Sequence, residues 1–209
     1  MVKKHAEIEG IVRLLHRNNK ALLEFVKDRK VESFDAGVDR VFGDSAARPN
    51  LVDINGFSII GSVRKKHVVS FIPRSWEDRF SKHGSRWAGC ERWWAGLPLA
   101  VWIEFRMAAA SKSGYLRLVA EVGPLHDLEF RERLIENIED QARAAGLIRV
   151  RFPQGALQSR YSRFLHKNSV EIIDVGSADM IEAMIKKVIG DFVPELDAVA
   201  RAVIRSVHG

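Results

Sequence analysis

The chain has 209 residues, 46% hydrophobic and 29% charged, enough to bury a core without staples and a composition that argues against wholesale disorder. Its single cysteine, Cys90, excludes an internal disulfide framework, no stretch of about 18 consecutive apolar residues marks a membrane span, and the start MVKKHAEIEG carries no signal-type apolar stretch, so a reducing, cytoplasmic setting is expected. The net charge of +6 permits phosphate-rich partners but does not by itself demand them.

In chain order, Ile8, Ile11, Val12, Leu15, Leu22, Leu23 and Val26 follow helical spacing and predict a helix over residues 5–28, kinked or divided where Arg17 to Lys20 dilute the pattern. Phe34, Val38, Val41 and Phe42 predict a second short helix, stopped by Gly43 to Ser45 and Pro49. Residues 57–72 are rich in β-formers, with Arg64-Lys65-Lys66 suited to an exposed turn or edge, and Pro73 ends them. Residues 74–96 read as a long loop with at most one helical turn, and a long loop in a compact domain is a functional candidate. Residues 99–106 and 115–122 alternate cleanly and predict an antiparallel hairpin. Placing Glu104 opposite Arg117 sets Arg106 against Tyr115 and Trp102 against Val119, whereas a two-residue slip opposes Arg106 and Arg117. Asp127 predicts the N-cap of a helix running to about Ala145, closed by Gly146. Strands are expected over 147–152 and 162–172, and helical structure over 177–207 with a bend at Gly190 and Pro194.

Strands and helices are thus segregated. The pattern predicts an α+β fold, a mainly antiparallel sheet packed by helices on one face with N-terminal and C-terminal helices. The expected division is a helical segment over 1–48 and the α+β domain over 49–209.

Positive charge concentrates in the middle. Gly61 to Trp94 contains Arg64, Lys65, Lys66, Arg74, Arg79, Lys82, Arg86 and Arg92 against three acids, and Arg149 to Lys167 contains Arg149, Arg151, Arg160, Arg163 and Lys167 with none. Cations supply phosphate contacts and aromatics supply base stacking, so their interleaving with Trp76, Trp87, Trp93, Trp94 and Tyr161 points to DNA or RNA. The same residue types anchor protein interfaces, which keeps a protein partner or homo-oligomer open. Tryptophans are also ordinary packing residues, with arginine stems lying over them.

Other motifs are weaker. Gly56 to Gly61 has P-loop spacing but lacks the lysine, and reads as a strand with two glycines. Cys90 lies among arginines that would activate it, yet a sequence-near His83 does not make a catalytic pair, and a buried thiol is the simpler reading. No histidine pair or cysteine knuckle suggests zinc. A metal-dependent nuclease would need Asp53, Glu104 and Glu121 to converge on Mg²⁺; arginine follows where the usual lysine would stand after Glu104, and a salt bridge accounts for Glu104 without catalysis.

Phe71-Ile-Pro-x-x-Trp76, Trp102-Ile-Glu-Phe-Arg106, and Leu116 to Pro124 leading into Arg131-x-x-Leu-Ile135 together resemble the C-terminal accessory region of certain bacterial PD-(D/E)XK nuclease-superfamily proteins, over about Val68 to Phe164. This chain lacks the upstream core with its paired acid and E-x-K. The resemblance implies an accessory module beside DNA, in phage or mobile-element conflict, and carries over no catalytic residue. The expectation is therefore a non-catalytic nucleic-acid-associated binding module without a cofactor, with Mg²⁺ belonging only to the nuclease alternative.

Overall fold

A computed structural model describes residues 32–43, 50–83, 87–107 and 113–208. The helix expected over 5–28 and Arg86 lie outside them. Helix α1 (32–42) buries Phe34, Val38, Val41 and Phe42, the four residues whose spacing suggested it. The expected boundary at residue 48 therefore falls after an element that belongs to the main core.

Strands β1 (Leu51–Ile54) and β2 (Phe57–Lys65) pair through Asn55–Gly56. Both turn residues have positive φ, 54° and 84°, the geometry that makes Asn-Gly a strong two-residue hairpin signal. Strand β3 (Val68–Pro73) returns after the turn at Lys66–His67. The β2–β3 register shifts between Gly61 and Arg64. There the Ser70 hydroxyl accepts from Val63 N at 2.8 Å and donates to Val63 O at 3.1 Å, satisfying backbone groups that the bulge takes out of the ladder.

Residues 74–83 form helix α2 (Arg74–His83), not the start of a loop. Trp76 and Phe80, one helical turn apart, are fully buried, and Trp76 Nε1–H donates to Leu196 O at 3.0 Å. A helix this short is marginal in water. Burying two large side chains, at about 1.5–3 kcal/mol each, decides the matter.

Strands β4 (Leu99–Met107) and β5 (Gly114–Val122) form the expected hairpin, with Glu104 opposite Arg117, Arg106 opposite Tyr115 and Trp102 opposite Val119. Helix α3 (Leu128–Ala144) starts at Asp127, whose carboxylate accepts from Phe130 N at 2.9 Å. The strand expected over 147–152 is reduced to one bridge, Val150 to Leu165; Arg149 is drawn toward the helices and Pro153 offers no N–H to extend the ladder. The strand expected over 162–172 is two pieces, β6 (Ser162–Arg163) and β7 (Ser169–Ile172), both on β5. Between them Lys167 takes φ 49°, and the Asn168 amide donates to Leu118 O. Helices α4 (Ala178–Asp191) and α5 (Val193–His208) meet at Phe192, where the bend was expected.

The sheet order is β1-β2-β3-β4-β5-β6, with β7 also on β5, and every described strand pairing is antiparallel. One sheet face carries Phe71, Val101, Ile103, Phe105, Leu116 and Leu118 into a core shared with the helices; Phe34 of α1 stacks on Phe105 at 4.9 Å. The fold class is α+β, as the pattern predicts. On the opposite face, helix-free among the described residues, Ala100, Trp102 and Val119 form a second, small cluster with Val68, Trp93 and Trp94. No described helix is long and apolar enough to cross a membrane.

Candidate functional site

The helix-free face gathers the chemistry. Strand alternation places Trp102, Glu104 and Arg106 of β4 on it beside Tyr115, Arg117, Val119 and Glu121 of β5. Lys65 enters opposite Val68, and Arg163 opposite Glu121. The segment 87–98 supplies a partial cover. Trp94 stacks on Trp102 with centroids 5.1 Å apart and an interplanar angle of 18°. Lys65 Nζ stands 5.5 Å from the Trp94 ring centre, and the Arg163 guanidinium 5.2 Å from that of Trp102. Two indoles are thus bracketed by two cations. Trp94 holds φ 46°, a conformation costly for a large L-residue and of a kind that collects at functional sites.

A second aromatic contact extends the row. Trp93 lies 6.1 Å from Tyr161, which is 43% exposed and has the Arg160 guanidinium 5.4 Å from its ring centre. The turn presenting Arg160, Tyr161 and Arg163 is tied to α3 by Arg131, 2% exposed. Arg131 Nη1 donates to Ala156 O at 3.0 Å, and Nη2 to Ser162 Oγ at 2.8 Å. Burial, with no acid set against it, pulls the Arg131 pKa below the usual arginine range.

Glu104 and Glu121 are both 7% exposed. Glu104 accepts from Trp102 Nε1–H at 3.0 Å and from Arg106 Nη2 at 3.0 Å, with Arg163 Nη1 at 3.9 Å. Its ion partners are thus Arg106 and Arg163; Arg117 faces it in register without being its partner. Burial pushes the Glu104 carboxyl up, but the indole N–H and the two guanidinium groups outweigh it and hold the pKa below the ordinary value. Arg163 Nε donates to Glu121 Oε2 at 3.0 Å. Burial still dominates at Glu121 and, helped by the charge of Glu104, raises its pKa against the pull of Arg163.

The three carboxylates of the nuclease alternative do not converge. Asp53 lies on β1, three strands from β4, roughly 14 Å at about 4.8 Å per strand. It serves its own hairpin, accepting from Gly56 N at 2.8 Å and from the Ser58 hydroxyl at 3.4 Å. Among the described residues no group of three His, Cys, Asp or Glu side chains is gathered to hold a metal ion. Cys90 is fully buried, and burial, followed by Glu91, pushes its thiol up to about 12. It stays protonated at neutral pH and is no nucleophile.

The predicted cations divide. Arg64 pairs with Asp39 and donates to Gly43 O, fastening β2 to α1. Arg74 pairs with Asp78 within α2, and Arg79 and Lys82 are exposed on that helix. Arg149 binds Glu195 at 2.7 and 2.8 Å and covers Phe192 at 3.9 Å. These are distant from the helix-free face or committed to holding the fold. Arg92 is exposed in the covering segment, and Arg151 is exposed beyond the β6 side. Lys65, Lys66, Arg160 and Lys167 are exposed and have no ion pair among the described residues. Of the tryptophans, Trp76 is core, and Trp87 packs between Phe80 and Phe130 at 5.3 and 4.9 Å. Of the aromatic residues predicted for the site, Trp93, Trp94 and Tyr161 join the candidate face, where they meet Trp102.

Arg106, Arg117, Tyr115 and Arg131 were not among the predicted site residues. The first three could have been found by taking the polar side of the hairpin as one surface. Two open grooves flank them: one of about 560 Å³ lined by Tyr115, Arg117, Lys167, Asn168 and Ser169, the other of about 380 Å³ with Lys66, His67, Glu104 and Arg106 in its wall. Comparison with protein families, curated proteins and solved structures finds no match.

Proposed function

We propose that this chain is a non-catalytic nucleic-acid-binding module whose contact surface is the helix-free face of its sheet. The observation that carries the reading is the Trp94–Trp102 stack bracketed by Lys65 and Arg163. Trp94, backed by the buried Trp102, offers an aromatic stacking surface and Lys65 beside it offers a phosphate contact, the two elements of sequence-tolerant nucleic-acid binding. The two indoles lie on the same sheet face as Lys65, which has no acid partner among the described residues, and that is where such a ligand would need it. The resemblance to an accessory region of bacterial nuclease-superfamily proteins supports DNA as the ligand and a setting of phage or mobile-element conflict.

The test is fluorescence anisotropy with labelled DNA and RNA oligonucleotides at low salt. Binding should be present and should weaken several-fold when Lys65 and Lys66 are changed together to alanine. The paired change Arg79→Ala and Lys82→Ala, on α2, should leave it intact. Absence of binding to either nucleic acid at low salt removes the reading, and equal losses from both double variants would remove the assignment to this face.

A further inference from the structure

We infer that the ligand of this face is an unpaired strand, DNA or RNA, whose bases stack on the aromatic row. The inference rests on the nucleic-acid reading and narrows it. A duplex hides the faces of its bases in its own stack and offers a protein only backbone and groove edges. The helix-free face is poorly shaped for either groove. Six strands side by side span roughly 24 Å at about 4.8 Å per step, against a major groove about 12 Å wide that admits one helix or a two-stranded ribbon. No helical residue among the described residues belongs to the cluster on this face.

An unpaired strand meets none of these obstacles. Its bases present open faces, and the surface offers two aromatic positions. Trp94 is held against Trp102, and Tyr161 stands beside Trp93. Each has a cation at hand, Lys65 at Trp94 and Arg160 at Tyr161. Arg117 and Lys167 line the groove beyond, next to Tyr115. A cation close to each aromatic position can meet the phosphate next to a stacked base. Charge complementarity and the two stacking positions together favour this occupant.

The backbone supplies a clean variant. Trp94 has φ 46°, where glycine is more at ease than any other residue, so Trp94→Gly removes the ring without straining the turn, while Trp94→Phe keeps a flat ring. The probes are a labelled mixed-sequence oligonucleotide, the same strand annealed to its complement, and the RNA version of the single strand. Unpaired strands should bind at least tenfold more tightly than the duplex. Trp94→Gly should lose about tenfold on unpaired strands, the scale of one stacked base; Trp94→Phe should keep most of the affinity, and the duplex should respond to neither change. Equal affinity for duplex and single strand, or indifference of single-strand binding to Trp94→Gly in a protein that melts as the parent does, overturns the inference but leaves the nucleic-acid reading standing. Absence of binding to all three probes overturns that reading and the inference with it.

Discussion

Arg163 stands between two carboxylates whose environments drive them apart. Glu104 loses its proton more readily in the fold than in the unfolded chain, because Trp102, Arg106 and Arg163 together outweigh its burial. Its contribution to stability is therefore present above the ordinary glutamate value near 4.5 and is lost as pH falls through the lowered folded value. Glu121 runs the other way. Burial, its largest influence, raises the pKa, so the fold holds that proton more tightly than the unfolded chain does. Its contribution is full below the ordinary value and is lost as pH rises through the raised one. Urea unfolding of the parent, Glu104→Gln and Glu121→Gln, followed from about pH 3 to about pH 8, resolves the two. The advantage of parent over Glu104→Gln should shrink on acidification below about 4.5, and that of parent over Glu121→Gln should shrink as pH rises above it. Two differences moving in the same direction would refute this account of the pair.

At the scale of elements, the covering segment 87–98 is seated by close approach to the end of β5. Gly123 N donates to Pro98 O at 2.8 Å, and His126 N to Ala88 O at 2.9 Å. The Trp93 ring lies where a side chain on Gly123 would be, since a Cβ there would stand 2.2 Å from Trp93 Cζ3. Gly123→Ala should therefore push Trp93 off its seat, with a cost of about 1–3 kcal/mol, as overpacking usually brings. A lowered urea midpoint and a shifted tryptophan emission would show it; unchanged values of both would mean that Trp93 is not held there. The seat was not legible in the sequence, where Gly123-Pro124 reads only as the end of a strand. The hairpin of β4 and β5 was legible to its register, because alternation and opposite charges at Glu104 and Arg117 point the same way. Helix α3 was legible through its cap. Helix α2 was missed although Trp76 and Phe80 are one turn apart, because the intervening charges of Glu77, Asp78 and Arg79 obscure the stripe. Strand β1 was missed because four residues carry little periodicity, even with Asn55-Gly56 marking its turn. The candidate face was half legible. Charge runs and tryptophans locate the region, but which cations are consumed by Asp39, Asp78 and Glu195, and which indoles turn inward, is settled by tertiary contacts that no local pattern records.

For the molecule as a whole, the useful charge is smaller than the number of cations suggests, and salt dependence can count it. The formal charge of +6 acts weakly at a distance, since fields are screened over about 10 Å at 0.1 M salt. A bound strand therefore senses the local cations that remain unneutralised. On and around the helix-free face these are Lys65, Lys66, Arg92, Arg117, Arg160 and Lys167, none with an ion pair among the described residues. Arg106 and Arg163 are already matched to Glu104 and Glu121. Six phosphate contacts to a single strand correspond to a slope of log K against log salt of about −4.2, at roughly −0.7 per contact. Lys66→Ala should make the slope shallower by about 0.7. Arg163→Ala should change it little, because the phosphate would have to displace two carboxylates before that guanidinium could serve. Titrations at four or more salt concentrations test the account. A slope near zero with affinity intact would assign the binding to stacking alone, and a slope that falls as steeply for Arg163→Ala as for Lys66→Ala would show that the ligand breaks the Glu104–Arg163–Glu121 bridge on binding.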